Sequence, residues 1–417
     1  MTETTGADLE QPTYSFESLG VHAGLSRKEN KSFVFENSAH GAAIFNGTAE
    51  AFCYSRIGNP TTKVFETRVA ALEGGEAALA TSSGAAALFT TIISLAQHGS
   101  NIVVASSISD SWTHVFQHRL PTWGITAQLV SNDDIEQIVQ AIDKDTKFVF
   151  AESIPTDNLQ ISDIEALATA AHSKGVPLVI DNTAGAGGYL IRPLDHGADI
   201  VIQDAGPWLS VSGSISAGII VDSGRFDWSR SVERYPQFFD PSAGFHGLKF
   251  WEKFGNLSFI TYARAAVMRD SGPCLNPFEA FQLISGLETL SVRLERISYN
   301  AFVLADWIDE RKDTCGIQRV LYPGLSHATV AANRNYIKGG LGGLLSITLA
   351  DMDVLPRLLR KVTLISLGQS IGGSKTVIVN QPTISTKAPP KAWISVGLEN
   401  IDDIIEDLAQ ATSDTEI

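Results

Sequence analysis

The sequence predicts an α/β protein built on a buried, mostly parallel sheet with helices on both faces, followed by a smaller α/β domain. Three observations predict it. Short β-branched runs recur between residues 60 and 225: Asn101-Ile102-Val103-Val104, Lys147-Phe148-Val149-Phe150, Val176-Pro177-Leu178-Val179-Ile180, Asp199-Ile200-Val201-Ile202 and Gly218-Ile219-Ile220-Val221. Strands covered on both faces read as continuous apolar runs of this kind. Helical segments separate them, as crossover connections between parallel strands require. From about residue 270 the pattern changes to long amphipathic helices around a second, smaller set of strands.

The elements follow in order. Residues 1–11 are polar and expected to lack order. Thr61 or Thr62 can cap a helix carrying Val64, Phe65, Val69 and Leu72, which ends at Gly74-Gly75. Ser83-Gly84-Ala85 opens the next helix; backbone N–H groups there suit either a phosphate or a simple serine cap. Gly185 to Gly188 reads as loop. A long helical stretch runs through Leu287, Leu290, Leu294 and Ala301. Gly339-Gly340-Leu341-Gly342-Gly343 reads as a turn into a strand. Asn400 caps a last helix with the apolar stripe Ile401, Ile404, Ile405 and Leu408. The expected division is an amino-terminal arm (1–60), a large domain (61–270) and a small one (271–417).

Composition narrows the partners. The 417 residues carry 31 basic and 46 acidic side chains, a formal charge of −15. That argues against nucleic acid or an anionic membrane as a partner. No apolar run reaches membrane-span length and no basic-apolar leader opens the chain, so a cytoplasmic protein is expected. Cys53, Cys274 and Cys315 lie far apart, which suits a reducing compartment without structural disulfides or zinc. His114 and His118 have a metal-compatible spacing, but such pairs are mostly solvated helix faces, and no metal is expected. In open α/β sheets ligands sit beyond the carboxyl ends of the strands. Glu152, Asp181 and Asp204 fall at such ends.

Several motifs together resemble one enzyme family. They are Phe16-Glu17-Ser18-Leu19-Gly20-Val21-His22-Ala23-Gly24, Tyr54-Ser55-Arg56-Ile57-Gly58-Asn59-Pro60-Thr61, the segment from His196 to Leu209, Pro241-Ser242-Ala243-Gly244-Phe245-His246-Gly247-Leu248-Lys249-Phe250-Trp251, and Gly286-Leu287-Glu288-Thr289-Leu290. The chain resembles the Cys/Met-metabolism family of pyridoxal-phosphate (PLP) enzymes, and within it the O-acetylhomoserine sulfhydrylases. The resemblance implies the aspartate-aminotransferase-like fold type I with a seven-stranded sheet, and a homodimer or homotetramer. It implies that Ser83 and Gly84 belong to a phosphate loop and that Asp181 pairs with the pyridine nitrogen. It further implies that Tyr54 and Arg56 reach the phosphate of a neighbouring subunit.

The same resemblance exposes departures. Pro207 stands where the family's Schiff-base lysine is expected, and proline has no side-chain amine. Asp204 and Gly206 replace phosphate-binding hydroxyls. Ser109 replaces the tyrosine that stacks on the cofactor ring. Thr156 and Asp157 replace an Asn-Pro pair, Trp393 replaces the arginine that grips the substrate carboxylate, and Thr386 replaces a histidine ahead of a shortened loop. The expected pocket therefore joins Trp393, Trp208, Trp112, Pro207, Thr156 and Asp110, with Asp204, Asp181 and Ser109 as its chemical groups. A cavity of aromatic faces and a few polar groups suits a bulky organic ligand. Trp208 also suits plain core filling.

Three functions follow as expectations. The first is an enzyme on this scaffold that works without any cofactor, cyclising, isomerising, eliminating or adding to a bulky small-molecule substrate in specialised metabolism, with Asp204 as a desolvated acid or base. The second is a non-catalytic subunit of a hetero-oligomer, completing an active paralogue's PLP site in trans. The third is residual PLP chemistry with the cofactor held non-covalently by Tyr54, Arg56, Ser83 and Asp181.

Overall fold

The structure is a computed structural model that describes residues 33, 35–45, 49, 51–105, 108–131, 134–156, 158–312, 316–325, 334–381 and 389–412. The motif at residues 16–24 and the positions Asp157, Cys315, Thr386 and Lys387 lie outside the described residues. The chain divides into two units, residues 1–59 and 60–417.

In the first unit a helix spans Ser38–Phe45. A turn follows in which the Ile57 and Gly58 amides both donate to the Tyr54 carbonyl, at 3.0 and 3.1 Å. The Arg56 guanidinium carbon lies 5.4 Å from the centre of the Tyr54 ring.

The second unit holds two sheets. The larger contains β1 (Ala77–Thr81), β2 (Asn101–Ala105), β3 (Thr126–Val130), β4 (Thr146–Glu152), β5 (Leu178–Asp181), β6 (Ile200–Asp204) and β7 (Gly218–Asp222), in the order β1-β7-β6-β5-β4-β2-β3. β7 runs antiparallel to β1 and β6, and every other pairing is parallel. The continuous apolar runs are explained by two cores, one on each face. Val103, Ala105, Leu178, Ile180 and Val201 point to one. Ile102, Val104, Val179, Ile200 and Ile202 point to the other. The alternation is hidden in the sequence because both faces are apolar.

The smaller sheet runs β10 (Ser366–Gly368), β11 (Val377–Gln381), β12 (Lys391–Ser395), β9 (Leu344–Leu349), β8 (Ile317–Leu321). Its core is shared with the inner faces of the helices Leu290–Arg311 and Ile401–Thr412. The Asn400 side chain accepts from the Asp402 amide at 3.0 Å, as a cap should.

Two expected boundaries shift. The first large-unit helix spans Pro60–Glu73, starting at Pro60 instead of after Thr61 or Thr62. Proline's fixed φ suits a first helical turn, where its missing N–H costs nothing. The long stretch through Leu287 divides into helices Pro277–Leu287 and Leu290–Arg311. Among the described residues no helix is long and apolar enough to cross a membrane.

Candidate functional site

Three carboxylates end three adjacent strands on the same edge: Glu152 on β4, Asp181 on β5 and Asp204 on β6. Here a cavity of about 600 Å³ opens, within the range that takes a small organic molecule. Its lining includes Asp204, Asp181, Ser109, Ser83, Pro207, Thr156, Trp112 and Trp393 of the sequence-predicted set. Glu152, Thr183, Ser214, Ser216, Gln369 and Ile371 join them. Among the described residues that line the cavity there is no lysine, arginine or histidine.

The hydrogen bonds fix most of these groups. Asp181 accepts from the Trp112 indole N–H at 2.8 Å, and from the Thr183 amide and hydroxyl at 2.9 and 2.6 Å. Glu152 accepts from the Ser109 amide at 2.8 Å. The Trp393 indole N–H donates to the Thr156 carbonyl at 2.8 Å, pinning one cavity wall to the loop after β4. Ser83 is the N-cap of the Gly84–Leu95 helix, its hydroxyl accepting from the Ala86 amide at 3.0 Å. The capping role open at the sequence level is thus filled, and Ser83 and Ala85 bring the start of this helix to the cavity lining. The Thr156 hydroxyl is buried without a hydrogen-bond partner.

The other sequence-predicted residues are placed elsewhere. Trp208 is not on the lining: it is 2% exposed, and its ring packs over Gly343 and Gly372. Its φ of +61° lies in the left-handed region, and the Pro207 Cβ packs on the same Gly372 beside the ring. Asp110 is exposed in the first turn of the short helix Asp110–His114, and it is Trp112 that turns inward from that helix. Gly84 lies beneath Asp204, where a Cβ would come 2.7 Å from the Asp204 Cβ; close approach explains this glycine. Tyr54 and Arg56 belong to the first unit, described above.

Sequence reasoning noticed Glu152 at a strand end without giving it a role. A charged residue closing a β-branched run was the available signal. Gln369 and Ile371 were not found. They follow β10, far along the chain from the strand-end carboxylates, and no local pattern marks them.

Burial dominates the electrostatics. It pushes the Asp204 carboxyl up to about 6 and Glu152 up to about 8, with Asp181 beside Glu152 acting in the same direction. Asp181 is also raised by burial. Behind the site Glu73, which accepts from the Asn182 side chain at 2.8 Å and also from Gln203, is pushed up to about 8. Carboxyls raised on folding bind protons more tightly in the folded chain than in the unfolded one. Their stabilisation is complete below the unfolded carboxyl range near 4 and is lost as pH rises through the folded values. The unliganded protein should therefore melt at progressively lower temperature from pH 5 to pH 8. Each such group contributes a slope of at most about 1.4 kcal/mol per pH unit. Calorimetry of the protein and of Glu73→Gln checks this, with a shallower slope expected in the variant.

The chain has close relatives of known name. It is 40% identical to the sulfhydrylase FUB7 of Fusarium oxysporum f. sp. lycopersici, over 96% of this chain and 98% of that one. It is also 40% identical to the homocysteine synthase of Schizosaccharomyces pombe, over 95% and 97%. Among solved structures it is similar to a putative O-acetylhomoserine (thiol)-lyase from Campylobacter jejuni, with a TM-score of 0.86, 31% identity, and 96% and 100% of the two chains covered. That structure carries N'-pyridoxyl-lysine-5'-monophosphate at its position 205. The expectation that no cofactor is involved is overturned by these matches, because the family model that covers residues 26–413 describes PLP-dependent enzymes. A 417-residue chain matched over that span, with a seven-stranded sheet whose carboxyl edge frames the cavity, belongs to the family of Cys/Met metabolism PLP-dependent enzymes.

Proposed function

We propose that this chain is a sulfhydrylase-like enzyme that holds PLP in the cavity at the carboxyl ends of β4, β5 and β6 without a covalent link to residue 207. The observation that carries the reading is the pairing of a free acceptor position with an orphaned donor. A carboxylate offers about four acceptor sites, and Asp181 uses three of them within the protein. One remains for a protonated ring nitrogen. The buried Thr156 hydroxyl, which has no partner in the protein, suits an oxygen substituent of the same ring. The amino-terminal N–H groups of the Gly84–Leu95 helix suit the phosphate. Tyr54 and Arg56 of a neighbouring copy would complete that end, as the family resemblance implies, in a homodimer or homotetramer.

When bound, PLP supplies an electron sink for charge developing beside a substrate nitrogen. The chain's own residues do the rest. Asp181 keeps the ring nitrogen protonated. Trp112, held by Asp181, supplies an aromatic wall near Ser109 in place of a stacking tyrosine. Trp393, Ile154, Ile215 and Ile371 give the substrate side an apolar lining. That lining favours a substrate bulkier and less polar than a free amino acid, because a carboxylate there meets no cation. A soluble, cytoplasmic setting belongs to the same proposal.

Addition of PLP to the purified protein should produce a saturable change in visible absorbance and quench tryptophan fluorescence through Trp112. The bound cofactor should leave on gel filtration in denaturant even after borohydride treatment. A protein that shows neither optical change at millimolar PLP does not work this way.

A further inference from the structure

The described lining of the cavity holds no lysine, arginine or histidine, and its titratable side chains are three carboxylates, Glu152, Asp181 and Asp204. Glu152 and Asp181 stand side by side in register at the ends of adjacent parallel strands. Both are buried and both line the cavity. Asp204, one strand further, is the third carboxylate facing them. The 109–112 segment packed above contributes Ser109 and Trp112 to the lining, while its one charged side chain, Asp110, is exposed. Among the described lining residues no cation balances the group. Two adjacent buried carboxylates with no counter-ion do not both ionise near neutral pH, because like charges at this range in a low-dielectric site repel strongly.

The hydrogen bonds treat the two alike: each accepts from two N–H groups and one hydroxyl, Asp181 from the Trp112 indole, the Thr183 amide and the Thr183 hydroxyl, and Glu152 from the Ser109 amide, the Thr156 amide and the Ser109 hydroxyl. The ring separates them. On the reading above Asp181 turns its remaining acceptor position to the ring nitrogen and is held as the anion, so the proton of the pair falls to Glu152. Burial and the neighbouring Asp181 both favour the neutral form of Glu152.

We propose that Glu152 is the proton-carrying residue of this site, sharing one proton with Asp181 and exchanging it with the bound ligand. The proposal rests on the reading that the cavity takes a pyridine-type cofactor. A protonated ring nitrogen beside Asp181 adds the missing positive charge, so Glu152 releases its proton when the cofactor enters. It is then a carboxylate, able to accept a proton from a ligand carbon or nitrogen and to return it to the same or a neighbouring atom. Each transfer moves one proton between a Glu152 oxygen and the ligand, and no other bond of the protein is made or broken.

The test uses the full-length protein. Infrared spectra of the unliganded form should show a protonated-carboxyl component at pH 7 that is lost as pH rises past about 8. Glu73 and Asp222, also buried with raised carboxyls, contribute to the same region, so the difference between wild type and Glu152→Gln isolates the component. Asp181→Asn should shift its loss to lower pH. A difference spectrum between wild type and Glu152→Gln that lacks the component, or a component unmoved in Asp181→Asn, overturns the assignment. Calorimetric PLP titrations in two buffers of different ionisation heat should then show release of up to one proton per PLP in wild type and little in Glu152→Gln. Equal release in both proteins overturns the exchange. Absence of any PLP binding, with the infrared result intact, counts against the cofactor reading and not against the proton pair.

Discussion

Pro207→Lys should convert a protein that gives up PLP on denaturation into one that keeps it after borohydride reduction. Residue 207 lines the cavity, so an amine placed there reaches the space the cofactor would fill. The main-chain hydrogen bonds of the turn are made without the proline ring. The Trp208 amide is tied to the Gly372 carbonyl at 2.9 Å and the Leu209 amide to the Pro207 carbonyl at 2.6 Å. Neither bond uses the pyrrolidine ring. Mass spectrometry after reduction should find close to one cofactor per chain at position 207 of the variant and close to none on the wild type. An equally labelled wild type would mean that another lysine does the work and would remove the case for non-covalent holding. Turnover of O-acetylhomoserine should not return with this change alone, because Trp393 and the isoleucines still line the substrate side. Recovered turnover would contradict the assignment of that wall.

Asp204→Ser should tighten PLP binding. Asp204 sits over Gly84 at the start of the Gly84–Leu95 helix, where the phosphate is expected, and brings a negative charge to that end. Two like charges about 4 Å apart cost roughly 1 to 4 kcal/mol at effective dielectrics between water and a protein surface. The expected gain is therefore about 5-fold to several hundred-fold in affinity. It should be greatest above pH 7 and shrink below pH 6, because burial holds the Asp204 carboxyl at about 6 and it is neutral in acid. Fluorescence titrations of both proteins at pH 5.5 and 8 measure this. An unchanged affinity at pH 8 would place the phosphate away from Asp204.

Much of the fold was legible in the sequence because its signals are local. The five apolar runs that predicted strands became β2, β4, β5, β6 and β7, and the Asn400 cap became a helix start. β1 and β3 were not picked out, since Ala77–Thr81 is small-residue rich and Thr126–Val130 is half exposed. The site was legible in part for the same reason. Asp181 and Asp204 end strands, and strand ends are readable. Asp110 is exposed because the short helix Asp110–His114 turns Trp112 inward in its stead, which composition does not reveal, while Trp208 takes the core-filling position that was its other reading. The pairing of Glu152 with Asp181 depends on the register between β4 and β5, set by core packing between segments distant in the chain.

The turn after β6 has a consequence of its own. Arg293, from the long helix Leu290–Arg311, is 6% exposed and donates to the carbonyls of Trp208, Ser210 and Gly286, at 2.8, 3.3 and 2.8 Å. The Ser210 hydroxyl donates to the Gly206 carbonyl at 2.6 Å. Each of these ties is made to a main-chain carbonyl and none to the side chain at 207, whose Cβ packs beside Gly372. The turn is thus held by groups other than the side chain at 207, and Pro207→Lys should leave its frame in place. A change of that residue should therefore alter what the cavity can bind before it alters how the protein folds.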